Sequence, residues 1–204
     1  MSHTTIDAVR YRCLSYTWGQ PEPKQPILIN EQTFYVQPNL FEFLKAVRAD
    51  EERTAHQYWI DALCIDQNNM DERNHQVTQM GAIYSKAELV IVWLGLASEE
   101  TLLHFANKPQ VSPYRKARKT IQEDLSGNQY WTRAWITQEL VLAHRINVAI
   151  GPLTFTFDKL VDLVRKSGWR KDRATPFYPF LDLGYSKINI LGKPIGSLLD
   201  TFRD

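Results

Sequence analysis

ELVIVWLG, residues 88–95, is an uninterrupted apolar run between a glutamate and a glycine. A short run of this kind, without polar alternation, is typical of a strand buried on both faces of a parallel sheet. Gly95 marks its end, because glycine favours a turn over continued strand. Parallel strands need long crossover connections, so we expect helices to cover this sheet.

The segments on both sides of this run have the expected helical patterns. Apolar residues recur at helical spacing over 71–86, which predicts a helix immediately before the strand. After the strand, Ser98 is suited to cap a short helix that continues through Phe105. The aromatic and apolar run at 11–16 predicts an earlier strand, which ends where glycine and proline follow it.

Strand and helix patterns alternate through the first 150 residues, which predicts an α/β fold. We expect a mostly parallel sheet flanked by helices, with an additional hairpin and C-terminal elements. The remaining predicted elements are a hairpin over 27–36, a helix capped by Asn39, a central strand over 58–65, a helix over 131–143 with Trp135 inward, strands over 146–150 and 153–157, and a helix over 157–166. Residues 1–157 should form the domain core. Residues 158–204 should add a truncated helical and loop extension of the same domain, with a long aromatic loop over 168–193 and a helix from Ser197.

Composition excludes several classes of function. The 204 residues carry a formal net charge of +1, which gives no overall field for holding nucleic acid. The five histidines are scattered and the two cysteines are unpaired in spacing, so we expect no metal site and buried free thiols at Cys13 and Cys64. No apolar run is long enough for a membrane span, and the start lacks a signal-peptide core, so a cytoplasmic location is expected.

Polar and aromatic residues follow the predicted strands at one edge of the sheet. In open α/β sheets, ligands bind outside the carboxyl ends of the strands. Tyr16, Trp18 and Gly19 follow the first strand, and Asp66 and Gln67 follow the strand over 58–65, so we expect these five residues to line a ligand site.

Asp61 lies inside a predicted strand, where a carboxylate must find hydrogen-bond donors. It is either a structural anchor between strand and helix or a ligand contact. A second polar set, Glu72, Arg73 and Gln76, is either an exposed helix face or part of the same site.

Trp135 and Glu139 are four residues apart, which places ring and carboxylate together on one helix surface. An acid at the margin of an apolar face is suited to acid–base work or to stabilising a cation. The alternative is a structural ion pair of Glu139 with Arg133 or Arg145. The residues alone favour neither reading.

Three blocks of the sequence resemble the fungal HET (heterokaryon incompatibility) domain. They are YRCLSYTWG at 11–19, WIDALCIDQ at 59–67 with the segments ERNHQV and MGAIYSKAELVIVWLG up to residue 95, and YWTRAWITQE at 130–139. Three blocks in this order are a specific signal, and the resemblance covers residues 11–157.

The resemblance implies a cell-death effector of fungal allorecognition that responds to an incompatible partner protein and self-associates. The HET family is also distantly similar to TIR domains, whose flavodoxin-like sheet hosts NAD cleavage by a helix-borne glutamate. That similarity gives Glu139 the catalytic role and makes NAD the possible substrate, with no firmly expected cofactor.

Two other functions stay open at this stage. The domain could be a non-enzymatic self-associating module that triggers cell death through partners. A generic nucleotide-binding domain is less favoured, because neither GxGxxG nor GxxxxGK[ST] occurs in the sequence.

Overall fold

A five-stranded sheet forms the centre of the computed structural model, which describes residues 10–106, 115–166 and 176–182. Its strands are β1 (Arg12–Tyr16), β4 (Tyr58–Trp59), β5 (Leu89–Trp93), β6 (Ile146–Ile150) and β7 (Leu153–Thr156). They are arranged in the order β4-β1-β5-β6-β7. The strands β4, β1, β5 and β6 are parallel, and β7 returns antiparallel to β6. The predicted mostly parallel sheet is therefore confirmed, and β5, from the apolar run at 88–95, is its middle strand.

Helices cover both faces of this sheet. They are α1 (Pro38–Arg48), α2 (Glu51–Thr54), α3 (Asp61–Cys64), α4 (Met70–Lys86), α5 (Glu99–Phe105), α6 (Arg115–Leu125), α7 (Ile136–Leu142) and α8 (Phe157–Lys166). Every residue of β5 is buried. Val90 and Val92 face a core built with α4, α6, α7 and α8, whereas Ile91 and Trp93 face a second core built with α1. The continuous apolar run follows from this two-sided burial.

The predicted hairpin is present as a separate two-stranded sheet, β2 (Gln25–Ile29) and β3 (Gln32–Val36). Asn30 and Glu31 turn the chain with φ of 49° and 64°. Two successive residues with positive φ give a turn whose twist matches the flanking strands, and asparagine tolerates this conformation well.

The predicted central strand over 58–65 is wrong. Only Tyr58 and Trp59 are strand, and they form a short edge strand beside β1. The chain then enters α3, where the amides of Leu63 and Cys64 both donate to the carbonyl of Ile60. The Asp61 side chain reinforces this turn by accepting from the Ala62 amide at 2.7 Å. Cys64 is exposed, contrary to expectation, whereas Cys13 is buried as predicted.

Two expectations about helix starts are also wrong. The helix near residue 38 begins at Pro38, which has no amide hydrogen and suits the first helical position, so Asn39 is not its cap. The helix predicted over 131–143 begins at Ile136, after a 3-10 turn over Gln129–Thr132. As a result Trp135 lies outside the helix and is 51% exposed rather than inward.

Helix α8 and a 3-10 turn at Tyr178–Asp182 are the last elements among the described residues. Phe177 and Phe180 of this segment pack on Trp131, with ring centroids 4.5 and 5.6 Å away. Most of the loop predicted over 168–193, and the helix predicted from Ser197, lie outside the described residues. In the described parts of the chain, no helix combines the length and hydropathy that a lipid bilayer crossing requires.

Candidate functional site

Four parallel strands deliver their carboxyl ends to one edge of the sheet. Trp18 follows β1 and Asp61 follows β4, which lies beside β1. Gly19 and Gly95, with φ of +78° and +96°, turn the chain just after β1 and β5. Both angles lie in the left-handed region that favours glycine. The edge therefore has the geometry at which α/β sheets bind ligands.

Trp18 and Asp61 form the outer part of this edge. The indole Nε1 of Trp18 donates to Asp61 Oδ2 at 3.0 Å, and the Trp18 side chain is 39% exposed. Tyr16 lies buried beside them. Burial, followed by the negative charge of Asp61, raises the pKa of Tyr16 well above its usual range. The tyrosine therefore stays a neutral hydroxyl next to a half-buried carboxylate.

Glu139 lies at the centre of a buried polar cluster and is only 2% exposed. Arg133 binds it with both terminal nitrogens, NH1 to Oε2 and NH2 to Oε1, each at 3.1 Å. Ser15 Oγ of β1 also donates to Oε2 and lies 2.5 Å from the Tyr130 hydroxyl. Two-pronged pairing and a hydroxyl donor satisfy the buried carboxylate, which would otherwise be strongly destabilising.

Arg133 has several contacts within the buried cluster around Glu139. Its guanidinium lies over the Tyr130 ring, 5.5 Å from the centroid, and NH1 also donates to Ser15 Oγ at 3.1 Å. Burial is the largest single influence on the pKa of Arg133 and lowers it, but the charge of Glu139, its hydrogen bond to Arg133 and the neighbouring tyrosines together raise the pKa above its usual value. The positive charge of Arg133 opposes, without cancelling, the upward shift in the pKa of Tyr16.

Comparison with known families matches residues 11–139 to the model described as Heterokaryon incompatibility protein (HET). The chain belongs to the HET family. A curated relative, "Heterokaryon incompatibility protein 6, OR allele" of Neurospora crassa, is 29% identical over 102 residues. That match covers 45% of this chain and 15% of the relative, so the HET domain spans a small part of that protein's length. No solved structure matches the chain.

Two residues expected at the site have local contacts in the HET domain. Asp66 is exposed, and its Oδ1 accepts from the Asn68 amide at 3.0 Å. Gln67 donates from Nε2 to the backbone carbonyl of Asp61 at 3.0 Å, so it supports the loop that presents Asp61. Asp61, which follows β4 directly, is the acid that contacts Trp18.

The set Glu72, Arg73 and Gln76 lies on α4. Glu72 Oε1 accepts from the Asp66 amide at 3.2 Å and so closes the loop before the helix. Arg73 is exposed and Gln76 is half-buried. Within the described residues, no hydrogen bond or ion pair joins Arg73 or Gln76 to Trp18, Asp61 or Glu139.

Trp135 lies on the outside of the Glu139 cluster. It shares a shallow depression with Met80, Gly81, Tyr84, Gln138 and Glu139, and this depression has no room for a water molecule. In this conformation a ligand can contact Trp135 but does not reach Glu139 from that side.

Three residues of the edge were not expected from the sequence. Ser15 and Tyr130 complete the Glu139 cluster, and Asn39 donates to the Thr17 carbonyl at 2.6 Å while its Oδ1 accepts from Trp93 Nε1 at 3.0 Å. Ser15 and Asn39 had a signal in the sequence, because a serine inside a buried strand and an asparagine inside an amphipathic helix both need polar partners.

An open groove of about 650 Å³ lies on the α1 side of the sheet. Its lining includes Lys45, Arg53, Trp93, Leu96 and Gly151. Lys45 pairs with Glu42 on α1, and Arg53 of α2 pairs with Asp50, the residue that caps the start of α2. Among the described residues, no group of three histidine, cysteine or acidic side chains could hold a metal ion.

Proposed function

We propose that this HET domain is a cell-death effector of fungal incompatibility and that it acts by hydrolysing the N-glycosidic bond of NAD or a related nucleotide. The family match and the name of the Neurospora relative support the incompatibility role. We further propose that it acts in the cytoplasm, on meeting an incompatibility partner protein, and that it self-associates when activated.

The proposed reaction needs a carboxylate close to the ribose. The bond between the anomeric carbon and the nicotinamide nitrogen breaks, and its electron pair leaves with nicotinamide. Water oxygen bonds to the anomeric carbon and releases a proton, which gives ADP-ribose. The transition state has oxocarbenium character, so a fixed negative charge beside the ribose stabilises it.

The observation that carries this proposal is the pair of carboxylates at the carboxyl edge. Glu139 lies below the surface and is paired with Arg133, and the half-buried Asp61 is bonded to the partly exposed Trp18. Trp18 adds a partly exposed ring that could stack on a base or sugar. Glu139 fixes Arg133 in the described conformation, and it would contact a ribose directly only after Arg133 moves away.

A second candidate is a non-enzymatic module that self-associates and triggers cell death through partners. The full pairing of Glu139 favours it, because a carboxylate with this many donors is typical of a structural role. The exposure of Trp135 also favours it, since exposed tryptophan is enriched in protein interfaces.

The two candidates differ in what Glu139→Gln does. The enzyme predicts nicotinamide release from NAD by the purified domain, tested from monomer to oligomer, and loss of that release in Glu139→Gln. Glu123→Gln on α6 is the matched control, because Glu123 is exposed and pairs with Lys119 across a helix surface. Absence of turnover in every assembly state would contradict the enzyme, and unimpaired cell killing by Glu139→Gln would support the module.

A further inference from the structure

Asp61 and Glu139 differ in how accessible their carboxylates are to a ligand. The Glu139 carboxylate is buried and already bonded within the protein. Arg133 donates to both of its oxygens and Ser15 donates a third hydrogen bond. Asp61 is half-buried, and its bond with Trp18 lies at the exposed surface. A ligand that approaches the edge in this conformation therefore meets Asp61 and not Glu139.

Asp61 also keeps capacity for a further hydrogen bond. A carboxylate offers about four acceptor positions. Trp18 Nε1 and the Ala62 amide use two of them, and the Tyr16 hydroxyl lies close enough to take a third. At least one acceptor position of Asp61 is therefore left for a further hydroxyl group.

The contacts of Asp61 hold it in one orientation. Trp18 fixes Oδ2, the Ala62 amide fixes Oδ1, and Gln67 bonds the Asp61 carbonyl from the following loop. Trp18 thus has two roles, because its N–H orients the acid while its partly exposed ring lies beside it. A held acceptor next to an aromatic face is a suitable arrangement for a sugar hydroxyl with a stacked ring.

We propose that Asp61 contacts the ligand of this domain, that it accepts a hydrogen bond from a ribose hydroxyl of a nucleotide stacked on Trp18, and that Glu139 is a positioning residue acting through Arg133. This inference rests on the proposed function for its ligand class. It assigns the contact to an acid that follows the edge strand β4 rather than to the helix-borne glutamate.

Binding of ADP-ribose, the product of the proposed reaction, tests this assignment apart from turnover. Asp61→Asn keeps an acceptor for Trp18 but removes the charge, so isothermal titration calorimetry should show affinity about tenfold weaker. Trp18→Phe keeps a ring but loses the N–H, and it should also weaken binding. Asp71→Asn, an exposed acid in the first turn of α4, is the matched control and should bind like the wild type.

The outcomes separate this inference from the proposed function. If the wild type cleaves NAD and Asp61→Asn binds and cleaves equally well, the Asp61 assignment is overturned and the reaction stands. If ADP-ribose binds in an Asp61-dependent way without any NAD cleavage, the assignment is supported and the glycohydrolase is overturned. Loss of binding in Lys45→Ala but not in Asp61→Asn would place the ligand in the α1 groove and contradict the assignment, as would absence of binding to the wild type.

Discussion

Replacing Arg133 with methionine removes the cation that pairs with Glu139 and keeps a side chain of similar length. Glu139 is 2% exposed and Arg133 is 21% exposed at the side chain, so little water can replace the lost donors. Breaking a buried ion pair from one side costs about 3–5 kcal/mol, because an uncompensated charge stays behind. Since domains are stable by only about 5–15 kcal/mol, this single change should remove a large part of the free energy of unfolding.

Urea denaturation at 25 °C and neutral pH measures that loss. The matched control is Lys119→Met, which breaks the exposed pair with Glu123 on one helix face and should cost no more than about 0.5 kcal/mol. The double variant Arg133→Met with Glu139→Gln should be less destabilised than the sum of the two single variants, because it leaves no unpaired charge. An Arg133→Met variant within about 1 kcal/mol of the wild type would refute the account of this cluster.

Two further predictions concern a thiol and a turn. A thiol reagent should modify Cys64 in the folded protein and Cys13 only after unfolding, because Cys13 is fully buried and burial raises its pKa far above the usual range. Cys64 is exposed as a residue, but partial burial of its thiol raises its pKa, so its thiolate fraction and reaction rate should keep increasing at alkaline pH. Rapid modification of a folded Cys64→Ser variant would contradict the protection of Cys13, and a Cys64 rate that is flat above neutral pH would contradict the raised pKa of Cys64. Gly95→Ala should lower the free energy of unfolding by about 1–3 kcal/mol, because a residue with a Cβ is strained at φ of +96°, and an unchanged midpoint in thermal unfolding would show that the turn relaxes without cost.

The sheet could be predicted from the sequence where nearly every residue of a strand is buried. β1, β5 and β6 satisfy this condition. The stretch over 58–65 does not, since a short apolar run fits a strand and a helix equally well. In this stretch a short helix forms instead. Its first turn is held by hydrogen bonds from the Leu63 and Cys64 amides to the Ile60 carbonyl and from the Ala62 amide to the Asp61 side chain. These contacts depend on where the edge strand stops, which periodicity does not indicate.

Some residues at the site edge could be predicted from the sequence, but which of them are buried and which are exposed could not. The placement of Trp18 after the first strand follows from strand order alone. Whether Glu139 is exposed depends on the residue at which α7 starts, and a start at Ile136 puts Trp135 outside and Glu139 inside. The role of Ser15 depends on how α7 packs on the sheet, because that packing brings Glu139 to the hydroxyl of Ser15 on β1. Tertiary packing, rather than local pattern, sets both.

Release of nicotinamide from NAD by the purified domain is the measurement that tests the central claim most directly. We predict turnover by the wild type in at least one assembly state, no turnover by Glu139→Gln or Asp61→Asn, and normal turnover by the Glu123→Gln and Asp71→Asn controls. Turnover that is absent from the wild type in every assembly state, or that persists in both Glu139→Gln and Asp61→Asn, would contradict the claim that this carboxyl edge is a nucleotide-cleaving site.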